Sequence, residues 1–153
     1  VTVVVRLDAS RGGRGALAAG RRLQRLARRF LAELDAEGEL SLVLVKDPEI
    51  RALKARWLGK DEATDVLSFP AGEAPGPGPA LLGDVVISLD TARKVARLLG
   101  NPLDRELALY LAHGLLHLLG HDHQQPRQAA RMRRAEDALL RGEGMLARSA
   151  SSR

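Results

Sequence analysis

The chain has no cysteine, which excludes a disulfide framework, a disulfide-linked partner and thiolate ligation of a metal. Aromatic side chains are scarce, at 3% of 153 residues, so a core has to be assembled mainly from Leu, Val and Ala. No run of about 18 uninterrupted apolar residues exists, as a membrane-spanning helix would need. No charged-then-apolar leader opens the sequence from Val1. These absences lead to the expectation of a cytoplasmic protein with no membrane partner. Lysine is also rare: four lysines leave 20 of the 24 basic residues as arginine, with a net charge of +5. Arginine pairs well with phosphate, yet solvated Arg-rich helix faces give the same composition. The charge admits an RNA partner without requiring one.

Apolar residues make up 45% of the chain, and its length suits one domain around one core. Residues 1–145 read as that domain and 146–153 as a flexible C-terminal tail. Val1 to Leu7 reads as a strand. Ala16 to Glu37 reads as a helix with an apolar stripe of Leu17, Leu23, Leu26, Phe30, Leu31 and Leu34, stopped by Gly38. Arg21, Arg22, Arg25, Arg28 and Arg29 form its basic side.

Leu40 to Lys46 is a second strand, and Asp47-Pro48 opens a helix to about Trp57 with Asp47 as its cap. Val66 to Phe69 is a short strand stopped by Pro70, and the Pro/Gly-rich residues 71–80 read as a mobile loop. Val85 to Leu89 is a fourth strand, with Asp90 capping a helix to Leu99. Asn101-Pro102 supplies a cap and a first-turn proline for a helix from Leu103 to Leu119. A last helix spans Pro126 to Arg141. The order predicts an α/β (α+β) fold, a small mixed four-stranded sheet packed with about five helices.

All four histidines lie within the eleven residues from His113 to His123. On a helix His113 and His117 share one face, one turn apart. Gly120 can take the left-handed conformation that ends a helix and reverses the chain, bringing His123 back as a third donor. Three imidazoles with a fourth position open describe a catalytic zinc site better than a structural one. The H-x-x-x-H-x-x-G-x-x-H spacing is that of a group of zinc proteases, which carry a Glu base directly after the first His. Gly114 stands there instead, which argues against peptide hydrolysis.

His113-Gly-Leu-Leu-His117-Leu-Leu-Gly120-His121-Asp122-His123 resembles the H-G-x-L-H-L-x-G-x-D-H signature of the YbeY family of zinc-dependent endoribonucleases. Upstream, Lys60-Asp61 followed by Thr64-Asp65-Val66-Leu67-Ser68-Phe69-Pro70 looks like that family's K-D-x-P-T-D-V-L-S-F-P block. Leu82-Gly83-Asp84-Val85-Val86-Ile87-Ser88 is similar to its L-G-D-I-x-I-S strand. The resemblance runs over about residues 40–140 in the same order. It implies a cytoplasmic endoribonuclease acting in 16S rRNA 3′-end maturation and ribosome quality control, with ribosomal RNA and the small ribosomal subunit as partners. His113, His117 and His123 would bind one Zn2+ per chain, with the metal-bound water as the only catalytic group. Attack by that water and activation of the ribose hydroxyl are both open.

One departure matters. The family usually places an arginine where this chain has Leu58, an asparagine where it has Lys54, and a tyrosine where it has Trp57. Arg56 and Lys60 are the nearby candidates for RNA contact. Asp122 is a candidate to orient an imidazole, or a plain turn residue. His121 is expected beside the site or on the surface, Thr64 and Asp65 lining the cleft or in a turn, and Ser68 paired through its backbone. A noncatalytic zinc-containing ribosome-associated factor and a metallohydrolase of another substrate class are the alternatives.

Overall fold

The computed structural model describes residues 3–62, 64–71, 80–121 and 123–145. Asp122, residues 72–79 of the loop expected at 71–80, and the expected tail at 146–153 lie outside the described residues. The elements in chain order are β1 (Val3–Asp8), α1 (Ala16–Glu33), β2 (Gly38–Val45), α2 (Asp47–Leu58), β3 (Val66–Pro70), β4 (Leu81–Ser88), α3 (Leu89–Leu99), α4 (Leu103–Leu118) and α5 (Pro126–Gly142). The four strands form one mixed sheet in the order β1-β2-β4-β3. β1, β2 and β4 run parallel, and β3 lies antiparallel at the edge beside β4. The expected fold class is the observed one.

Strand alternation divides the sheet into two faces. Leu40, Leu42, Leu44, Val85 and Ile87 join the main core with Phe30 and Leu31 of α1, Leu111 and Leu115 of α4, and Met132 and Leu139 of α5. The alternate residues Val45, Val86 and Leu67 pack with Ile50 of α2 on the other face. Between the sheet, α1, α3 and α5, α4 is buried almost all round, from Arg105 to Ala112 and again from Gly114 to Leu116. It is a rigid base for the histidines near its end.

Several boundaries differ from expectation, each for a local reason. α1 stops at Glu33 because Asp35, at φ 53°, takes the left-handed turn, with Ala36 N–H bonded to Leu31 O. Gly38 opens β2 instead of closing the helix, and Leu17 is 55% exposed. The two expected acidic caps do not cap their own helices. Asp47 sits in the first turn of α2 and accepts from Ser88 Oγ, Thr91 Oγ1 and Lys94 Nζ. Asp90 accepts from Asp47 N–H, and Ser88 caps α3 through Thr91 N–H. Asn101 does not cap α4; its side chain donates to Glu106 Oε1.

Candidate metal centre

α4 ends in a Schellman turn. Gly120 N–H bonds to His117 O at 3.0 Å and His121 N–H to Leu116 O at 2.9 Å, with Gly120 at φ 97°. That reversal carries His123 back beside the helix. The ring centroids of His113, His117 and His123 lie 4.7, 4.9 and 5.5 Å apart. One nitrogen from each ring falls within 4.8 Å of the others, a group able to share one metal ion. The donor set, three imidazoles without thiolate or carboxylate, suits a borderline divalent ion.

Glu136 of α5, only 2% exposed, was not singled out from the sequence. Its Oε2 lies 2.5 Å from His113 Nδ1. A carboxylate there holds the imidazole proton on Nδ1 and leaves Nε2 as the donor to a metal, the usual support of a ligating histidine. The signal was in the sequence: an acid at helical spacing from Met132, Leu139 and Leu140, inside an otherwise apolar stripe.

Gly114 has a packing reason of its own. A Cβ on it would stand 2.8 Å from Val85 Cγ1, 3.1 Å from Cγ2 and 3.2 Å from Ser68 Oγ. α4 therefore touches β4 at this position, which faces the sheet and not the histidines. The Glu that zinc proteases carry there has no room. Ser68 pairs with Val85 through its backbone, as expected, and its hydroxyl also donates to Gly114 O at 3.1 Å.

Beside the triad lies a cavity of about 360 Å3 between β3, α4 and α5, walled by His113, His123 and Glu136 and by apolar side chains including Leu109, Tyr110 and Met132. Burial, reinforced by the neighbouring Glu106 carboxylate, pushes the Tyr110 phenol well above its ordinary pKa, so its ring is a neutral wall. Asp65 lines this cavity, and Thr64 is not among its walls. The Asp65 carboxylate accepts from Val66 N–H at 2.7 Å.

The family model described as Endoribonuclease YbeY matches residues 16–143. The chain belongs to the YbeY family. It is 59% identical over 126 residues to the Endoribonuclease YbeY of Myxococcus xanthus, covering 80% of this chain and 43% of that protein. With the Anaeromyxobacter sp. relative it shares 57% over 129 residues, covering 84% and 67%, and with the Thermus thermophilus relative 46% over 121 residues, covering 78% and 87%. The chain thus spans less than half of the Myxococcus relative's length. A solution structure of a Thermotoga maritima protein superposes with a TM-score of 0.52 at 21% identity, over 98% of this chain and all of that one, a likeness of fold.

The other sequence candidates fall outside the histidine triad. His121 is half-buried and borders a different depression, beside Gln128 and Arg131. Arg56 lies 5.2 Å from the Trp57 ring centre at the end of α2. Trp57 and Leu58 there are 61% and 54% exposed, and Lys60 is exposed. Neither Arg56 nor Lys60 walls the cavity beside the histidines. Lys54 pairs with Glu62 at 2.9 Å. No described helix is long and apolar enough to cross a membrane.

Proposed function

We propose that this chain is a zinc-dependent endoribonuclease of single-stranded RNA, acting in 16S rRNA 3′-end maturation and ribosome quality control on the small ribosomal subunit. The observation that supports this most is the convergence of three imidazole donors within 4.8 Å on the wall of a cavity, in a chain whose relatives bear the name endoribonuclease.

His113, His117 and His123 would hold one zinc ion per chain. When bound, that ion supplies Lewis acidity toward a phosphoryl oxygen and lowers the pKa of water toward about 7. The chain's own residues set the frame. Buried α4 fixes His113 and His117, the Gly120 turn presents His123, and Glu136 keeps the His113 proton on Nδ1. Gly114, pressed on Val85, leaves no carboxylate base after the first ligand, so peptide hydrolysis lacks its usual proton acceptor. Arg56 and Lys60 are proposed to meet the RNA backbone as exposed cations.

The test is cleavage of a ribosomal RNA 3′-end precursor by zinc-loaded protein, beside a His117→Ala variant, a chelated sample and a casein digest. Cleavage that disappears with the metal and with His117 supports the proposal. Zinc bound, fold intact and RNA uncut would replace it with a noncatalytic ribosome-bound role, which Leu58 at the family's arginine position favours. Digestion of casein would replace it with a hydrolase of another substrate class.

A further inference from the structure

The cavity beside the triad has walls that select its occupant. Its walls are mostly apolar: Val66 from β3, Leu109 and Tyr110 from α4, and Ala129 and Met132 from α5. Two acids, Asp65 and Glu136, stand among them. Among the described residues, the only Arg or Lys on its walls is Arg133, exposed on α5 one residue after Met132. Among the described residues no carboxylate stands within ion-pair distance of it. Ala129, Met132, Arg133 and Glu136 recur at the spacing of one helix face, so a single face of α5 brings the apolar wall, the cation and the carboxylate that supports His113. The volume, about 360 Å3, falls in the ~300–1,000 Å3 range of small-ligand sites.

We propose that this cavity is a nucleobase slot: one unstacked base of single-stranded RNA enters among its apolar walls, beside Met132, and Arg133 binds a phosphate of the same strand. This rests on the endoribonuclease reading and adds a binding subsite to it. A flat, apolar-faced group suits walls that are mostly apolar, and single strands offer unstacked bases to such surfaces. The exposed guanidinium fork of Arg133 suits a phosphate of the same strand. His113 and His123 border both the slot and the metal site, so a seated base places the strand's backbone beside the metal.

The chain has two methionines, and only Met132 lines the slot, whereas Met145 borders a depression beside α1. Methyl-labelled methionine therefore gives one reporter and one internal control. Zinc-loaded protein is titrated with adenosine 5′-monophosphate and with ribose 5-phosphate, which lacks the base. The Met132 signal is expected to move with the nucleotide and stay with the sugar phosphate, while Met145 stays throughout. The nucleotide is expected to bind at least about tenfold more tightly, the scale of burying one face of a base on apolar walls. Ala129→Phe, which fills the slot from a partly exposed position, should bring that ratio near one with zinc content unchanged. Arg133→Gln should weaken both ligands several-fold and preserve the ratio. Equal binding of the two ligands, a silent Met132, or a ratio that survives a folded Ala129→Phe would overturn the slot. Because the wild-type titration reads Met132 directly, a misfolded variant does not remove the test. Nucleotide binding as expected without RNA cleavage would sink the nuclease reading alone; RNA cleavage with a silent Met132 would sink the slot alone.

Discussion

Replacing Glu136 by Gln probes the support of the triad without changing its ligands. In the folded chain the carboxylate is 2% exposed and lies 2.5 Å from His113 Nδ1. Gln keeps the size and can still accept from Nδ1–H, but it removes the negative charge that makes the imidazole a stronger donor. It can also turn its NH2 toward the ring and favour the other tautomer. Loss of such a partner costs about 10–100-fold in metal affinity, or about 1.4–2.7 kcal/mol at 1.36 kcal/mol per tenfold. Competition with a chromophoric chelator at fixed pH measures zinc affinity directly. Thermal unfolding of the metal-free variants runs beside it to separate folding from ligation. The expected outcome is a zinc affinity lower by one to two orders of magnitude in Glu136→Gln, and lower still in Glu136→Ala. Unchanged affinity in a folded Glu136→Gln would refute the reasoning and make the contact a packing feature.

Three further outcomes follow from the fold. Gly114→Ala gains about 1 kcal/mol of helix propensity but drives a methyl to 2.8 Å from the short, stiff Val85 side chain. Overpacking of ~1–3 kcal/mol should win, giving a net loss of about 1 kcal/mol in urea unfolding; a stabilised variant would contradict the close contact. Gly120→Ala meets no atom within 4 Å but inherits φ 97°. The cost of about 1–2 kcal/mol is purely backbone, and zinc affinity should fall with it as the His123 turn relaxes. For Asp47, burial pushes the carboxyl up, but donation by Ser88, Thr91 and Lys94 outweighs it and holds the pKa below the ordinary range. Its stabilisation is therefore present above the ordinary carboxylate pKa and lost as pH falls through the lower folded value. Asp47→Asn should cost about 1–3 kcal/mol near neutrality, a gap that closes in acid when urea unfolding is followed from pH 7 downward; a pH-independent gap would contradict this sign.

The metal-centre candidates were legible because helical periodicity is a local rule. His113 and His117 one turn apart and a glycine three residues further on determine which face they share and where the chain can turn. The sheet was legible for the same reason, from short Val/Leu-rich runs between turn residues, and the structure bears out its four mixed strands. What local pattern could not supply were the relations between elements. Asp47 and Asp90 each look like a cap for their own helix, yet each serves the neighbouring helix, because α2 and α3 start side by side at the ends of β2 and β4. Gly114 looked like a missing base, and only the packing of α4 on β4 shows why nothing larger stands there. Glu136 lies 23 residues from His113 in sequence and meets it only once α5 folds back on α4. Arg133 came into view with it, since the two share a helix face.

X-ray absorption at the zinc edge of the reconstituted protein tests the metal centre most directly. One zinc per chain should appear, with nitrogen or oxygen neighbours at about 2.0–2.1 Å and outer-shell scattering from three imidazoles. The scattering should fall to two imidazoles, or the zinc be lost, in His123→Ala. Substoichiometric zinc in the folded wild-type chain, or a full-strength site that ignores the loss of His123, would contradict a centre built from His113, His117 and His123.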